Sequence, residues 1–209
     1  MTDTHAKLLE VTCCLFAESG YLGTTTRRIA EAAGVNEVTV FRHFGSKDAL
    51  IRQALATMGG RAAPVLATDA QDPAAELYRW GLAVFYRYYE HRNLIRRLMG
   101  EMVERQELGA CVAEDSGREF AQLVGFFQAL RARGLAAADI CVEAAAGMLL
   151  SSLLTNALWR DVWPDVPNPE ENVRHYVDLA VRAVGLHPLP GPAAAPRTNG
   201  GRTGWKAAP

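Results

Sequence analysis

The residues best equipped for chemistry in this chain lie between Gly20 and Leu50, in the stretch GYLGTTTRRIAEAAGVNEVTVFRHFGSKDAL. Hydroxyls (Thr26, Thr39), guanidiniums (Arg27, Arg28, Arg42), an amide (Asn36), a carboxylate (Glu37), an imidazole (His43) and an ammonium (Lys47) are gathered there. They show no nucleophile–base pair, phosphate loop or metal-ligand spacing. What such groups can do is bond the phosphate oxygens and base edges of a DNA duplex, provided that short helices present them. Charge alone does not carry that reading. The formal net charge of the 209 residues is −1. Between Thr24 and Asp48 four cations (Arg27, Arg28, Arg42, Lys47) stand against three acids (Glu31, Glu37, Asp48). Phosphate affinity therefore depends on where the cations point and on a second copy of the chain.

The elements that must position these groups can be read from periodicity and caps. Ala6, Leu9, Cys13 and Phe16 mark one face of a first helix that stops near Gly20. A second helix starts at Thr25 or Thr26 and turns Ile29, Ala30 and Ala33 inward. Gly34 supplies the positive φ that ends it, and Val35 packs back toward the core. Asn36 caps a short third helix anchored by Val40, Phe41 and Phe44. Ser46 caps a fourth, with Asp48 in its first turn and Ala49, Leu50 and Leu55 inside. Two short helices hinged at Ala33-Gly34-Val35 form a helix-turn-helix, which presents its second helix to a DNA groove.

The pattern loosens from Gly59-Gly60 to Pro73 and then becomes helical again, with no strand-like alternation. The spacing predicts helices over about 73–91, 93–107, 114–133, 139–163 and 170–184. The expected fold is all-α with about nine helices. It comprises a helix-turn-helix domain over 1–50, a helical domain over 51–186, and a tail over 187–209 whose five prolines and four glycines read as disordered. Cys13, Cys14, Cys111 and Cys141 have no metal spacing and read as small hydrophobes in a reducing compartment, with a redox sensor as the alternative. His91, His175 and His187 likewise lack ligand spacing. No metal, cofactor or enzymatic activity is expected. The N-terminus MTDTHAKLLE lacks a signal design. The apolar run Ala144–Trp159, broken by Ser151, Ser152, Thr155 and Asn156, reads as a buried helix and not a membrane span. A cytoplasmic protein with no membrane partner is expected.

The pattern GY-x-x-TT-x-x-x-IA-x-x-AGV-x-x-x-T-V-F-x-HF-x-SK-x-x-L resembles the N-terminal domain of the TetR (tetracycline repressor) family over about thirty residues. The resemblance implies roles position by position. Thr26 would sit at a helix N-cap facing a phosphate. Arg27 would reach a base edge, where guanine O6 and N7 suit it, and Arg28 would follow in the first turn or remain a solvated arginine. Asn36, Glu37, Val38 and Thr39 would face the groove. Thr39 could bond a base or offer its methyl to thymine, and Glu37 could accept from cytosine N4 or simply be exposed. Phe41 stands where the family often has Tyr and is assigned to packing. Arg42 adds a cation for phosphate, and His43 and Lys47 match backbone-contacting positions, Lys47 foremost. The resemblance further implies a homodimer on double-stranded operator DNA, with recognition helices roughly 34–36 Å apart. It would be a repressor released when an effector shifts the fourth helix, at a coupling of about 1–3 kcal/mol. An activator, a regulator without a ligand, and a helical interaction protein without DNA binding are the alternatives.

The helix over 73–91 carries Tyr78, Trp80, Phe85, Tyr86, Tyr88 and Tyr89. A cavity for a small, largely apolar or aromatic effector is expected from Trp80, Tyr86, Tyr89, Met99, Met102, Phe120, Phe127, Met148 and Asn156, with plain interhelical packing as the alternative. Gly147, Ser151, Ser152 and Thr155 suit a close helix approach in a dimer interface, with Trp159 and Trp163 as core or interface anchors.

Overall fold

The structure, a computed structural model, describes residues 3–57, 65–163 and 165–186, apart from the side chains of 110–116. Gly59 and Gly60, the Cys111 side chain, Pro164 and residues 187–209 with His187 lie outside the described residues. Among those described there are nine helices and no strand. They are α1 (Asp3–Gly23), α2 (Thr26–Ala33), α3 (Glu37–Phe44), α4 (Lys47–Ala56), α5 (Pro73–Glu90), α6 (Arg92–Glu101), α7 (Glu107–Ala132), α8 (Val142–Trp159) and α9 (Pro169–Ala183).

Local chemistry sets where several of these helices begin and end. The side chains of Thr25, Asn36, Ser46, Asp72 and Asn168 each accept a hydrogen bond from a backbone N–H of the first turn that follows. Each such cap is worth about 1 kcal/mol. Thr25, not Thr26, is therefore the N-cap of α2, and Thr26 is its first helical residue. Gly34 closes α2 at φ 70°, its N–H returning to Ala30 O and Glu31 O. The first helix, expected to stop near Gly20, loses helical backbone there, at φ 66° and ψ −170°, and a short further turn follows to Gly23.

Three apolar clusters hold the helices together. Leu8 and Leu9 of α1 pack with Ile29, Ala30 and Ala33 of α2, Val40 and Phe44 of α3, and Leu50 and Ala54 of α4. Ala6, expected on this face, is exposed, while Leu8 and Thr12 are buried. Phe41 is also no anchor, since it is 47% exposed. A second cluster joins Phe16, Ile51 and Leu55 to Leu94 and Leu98 of α6 and Leu108 of α7, so the first four helices rest on the remainder. The largest cluster lies between α5 (Leu77, Trp80, Val84, Phe85), α7 (Leu123, Phe126, Phe127, Leu130), α8 (Leu149, Leu153, Ala157) and α9 (Val173, Val177, Val181). Gly81 lets α5 and α9 approach closely, because a Cβ there would meet Val173 Cγ1 at 3.3 Å. By length and composition α8 could cross a membrane. It packs here against α5, α7 and α9.

Candidate nucleic-acid interface

The short turn Gly34-Val35-Asn36 fixes α2 against α3. Gly34 takes the left-handed conformation, Val35 N–H bonds Ala30 O at 3.0 Å, and Asn36 Oδ1 accepts from Val38 N–H at 3.0 Å. With Val40 and Phe44 buried, the opposite face of α3 is left outward. That face carries Val38 (71% exposed), Phe41 (47% exposed) and Arg42, with Thr39 half-buried. Arg27 on α2 is exposed, and among the described residues neither Arg27 nor Arg42 has a hydrogen-bond or ion-pair partner. A free guanidinium beside exposed methyls and an aromatic ring matches the needs of a base-reading surface, in which Arg forks onto guanine and apolar groups meet thymine methyls.

Other residues of the expected DNA set are engaged within the protein. Thr26 Oγ1 donates to Glu37 Oε1 at 2.6 Å, joining the first residue of α2 to the first of α3. Thr26 therefore does not present a free hydroxyl to a phosphate, and one Glu37 oxygen is already used inside the motif. As a carboxylate in the first turn of α3, Glu37 also interacts favourably with the helix dipole. Arg28 Nη1 donates to Gly23 O at 2.6 Å and Ser19 Oγ at 3.1 Å, which ties it back to α1. The His43 ring is half-buried, its centroid 6.1 Å from that of Phe44 and 6.0 Å from that of His5.

Lys47 is also turned inward. It opens α4 after the Ser46 cap, and its Nζ donates to Tyr21 O at 2.6 Å while lying 4.2 Å from the Tyr21 ring centroid. Partial burial lowers the ammonium pKa, and the nearby Arg105 cation pushes the same way against Asp48 and Glu101. Sequence reasoning places Tyr21 only within the motif and misses its part in holding Lys47. The signal available is its place directly after the Gly20 kink.

The nine residues expected to line an effector cavity take different positions, and none of them lines either of the two clefts at the α1–α6 junction. Trp80 and Phe127 are fully buried in the largest apolar cluster. Met148 is 70% and Met99 52% exposed, with Tyr86 and Phe120 also at the surface. Met102 packs on the Phe16–Leu98 cluster. Tyr89 lies near-parallel to Phe85 at 5.9 Å and donates to Asp161 Oδ1 at 3.1 Å. Asn156 is buried, its Oδ1 accepting from Arg160 Nη1 at 3.2 Å. Helical phase divides the aromatics of α5: Trp80 and Phe85 are buried with Leu77, Gly81 and Val84, Tyr78, Tyr88 and Tyr89 pack partly buried against the same core, and Tyr86 reaches the surface. Open clefts occur instead at the junction of α1 with α6. One of about 790 Å³ includes Glu18, Ser19, Arg97, Glu101 and Arg105, and one of about 620 Å³ includes Leu9, Cys13, Cys14, His91 and Leu94.

Residues 8–54 match the family model described as bacterial regulatory proteins, tetR family. The chain is 28% identical over 96 residues to the uncharacterized HTH-type transcriptional regulator YvkB of Bacillus subtilis, a match covering 46% of this chain and 51% of that protein. It is 40% identical over 68 residues to the HTH-type transcriptional repressor Rv3405c of Mycobacterium tuberculosis, covering 32% and 36% respectively. The match thus spans about half, or less, of the length of these curated relatives. Among solved structures, the TetR family transcriptional regulator PfmR of Thermus thermophilus superposes with a TM-score of 0.62 at 26% identity, covering 84% of this chain and 97% of that one.

Proposed function

We propose that the chain belongs, through its N-terminal helices, to the tetR family of bacterial regulatory proteins, and that it is a DNA-binding transcriptional regulator acting as a homodimeric repressor in the cytoplasm. The observation that carries this reading is the outward face of α3. Val38, Phe41 and Arg42 stand exposed on a helix whose other face is buried through Val40 and Phe44, and Arg27 on α2 is exposed with no partner among the described residues. In the major groove, Arg27 forks onto a guanine, Thr39 and Val38 meet base edges and thymine methyls, and Arg42 and Lys47 grip phosphates. The Thr26–Glu37 bond and the Arg28 contacts to α1 keep the two helices in fixed register, so the surface is pre-formed.

One helix of eight residues reads too few base pairs for an operator, which a second copy supplies. An exposed row on α8 and just after it, Met148, Ser151, Thr155, Trp159 and Val162, with Leu179 on α9, supports self-association through these helices. Relatives named as repressors support the sign of regulation. Effector control completes the reading. A small molecule in a cleft at the α1–α6 junction would move the helices that carry the motif. Capture of sheared genomic DNA on the immobilised chain tests the reading. Enrichment of fragments with two inverted half-sites is expected, and uniform recovery of all fragments, or of none, would refute it.

A further inference from the structure

Tyr21 stands where three helices meet. The left-handed φ of Gly20 kinks α1, and the Tyr21 N–H that follows donates to Glu101 Oε1, at the end of α6, at 3.0 Å. The fit is close, since a Cβ on residue 20 would lie 2.2 Å from that oxygen. The Tyr21 carbonyl accepts from Lys47 Nζ at 2.6 Å, and its hydroxyl donates to Asp48 Oδ1. Against its ring lie Lys47 Nζ at 4.2 Å and the Arg105 guanidinium at 3.8 Å from the centroid. One residue thus contacts both opening residues of α4 together with Glu101 and Arg105 of the large domain.

A lysine that grips phosphate does not require such a seat. A carbonyl and a ring face together hold a partly desolvated ammonium more firmly than water alone does. To reach a phosphate, Lys47 must first leave them. Arg105, a like charge against the same ring, opposes the seating, and Glu101 fixes the backbone that provides it.

We propose that Tyr21 is a holding site for Lys47, and that Glu101 and Arg105 set how tightly the lysine is held. The inference rests on the reading of Lys47 as a phosphate contact. It differs from a change in recognition-helix spacing, because a movement of α6 would alter DNA affinity through the availability of one cation while α3 stays in place.

A double-mutant cycle tests this, using fluorescence anisotropy with a labelled mixed-sequence duplex at low salt, where phosphate contacts dominate. The proteins are the full-length wild type, Glu101→Ala, Lys47→Met and the double variant, with thermal melts confirming folding. Glu101→Ala should tighten binding by at least about twofold when Lys47 is present and leave Kd unchanged in the Lys47→Met background, the coupling expected of residues in one network. Glu101→Gln keeps an oxygen for the Tyr21 N–H and should restore the wild-type value. If Glu101→Ala does not fold, Arg105→Gln takes its place in the cycle, with weaker binding expected because the like charge is gone. Equal changes in both Lys47 backgrounds would overturn the proposal while DNA binding itself stands. A wild-type chain that does not bind the duplex at all would remove both.

Discussion

Arg27 and Lys47 carry the same charge but stand differently in the DNA-free chain, and their substitutions should differ accordingly. Arg27 is exposed with no partner among the described residues. Its replacement by Ala should cost about 1–3 kcal/mol on a preferred operator and little on a scrambled one. Lys47→Ala should weaken binding to both alike and reduce the slope of log K against log salt by about 1. Titrations on the two duplexes over a salt series separate these outcomes, and equal losses for both variants on both duplexes would sink the assignment of Arg27 to base reading. The cysteines give a second check at this scale. Burial pushes the Cys13 thiol up to about 11, and its Sγ lies 3.2 Å from Ala54 O, whereas Cys14 and Cys141 are exposed. A raised pKa means less thiolate at a given pH. At mildly alkaline pH, iodoacetamide should therefore label Cys14 and Cys141 in the native chain and Cys13 only after urea, as read by peptide mass mapping.

At the scale of elements, two glycines differ in how far their backbone excludes a side chain. Gly34 ends α2 at φ 70° with open space where a Cβ would go. Gly34→Ala should cost only the left-handed conformation, about 1–2 kcal/mol. Gly20 stands at φ 66° and ψ −170°, a region open essentially only to glycine, and a Cβ there would also displace the movable Glu101 carboxylate, so the loss on Gly20→Ala in urea unfolding should exceed that of Gly34→Ala. Equal losses would contradict the more restricted backbone at the kink. Features of this local kind were legible in the sequence. The Asn36 and Ser46 caps, the Gly34 stop and the inward Val40 and Phe44 each depend on residues within a turn or two. Pairings set by tertiary packing were not legible. The Thr26–Glu37 bond spans 11 residues and the Tyr21–Glu101 bond 80, and no local spacing announces either. The positions of the expected effector-site residues were not legible for a related reason. A run of aromatics tells that α5 is largely buried, but not which ring meets the core (Trp80) and which meets solvent (Tyr86).

At the scale of the molecule, a small four-helix unit rests on a large helical one through the Phe16–Ile51–Leu98 cluster, while the exposed row on α8 faces away from the large core. If that row is the dimer face, Met148→Glu should convert the chain from two copies to one by light scattering. Met148 is 70% exposed, so the melting of each protomer should change little. A dimer that persists in this variant would place the interface elsewhere. Joining two copies is what would give the α3 face enough reach to select an operator. Hydroxyl-radical footprinting of the chain on a captured genomic fragment tests that claim most directly. Two protected backbone patches are expected, related by a two-fold axis and separated by about one helical turn, roughly 34–36 Å, both lost in Lys47→Ala under moderate salt. Protection spread evenly along the fragment, or none at all, would contradict it.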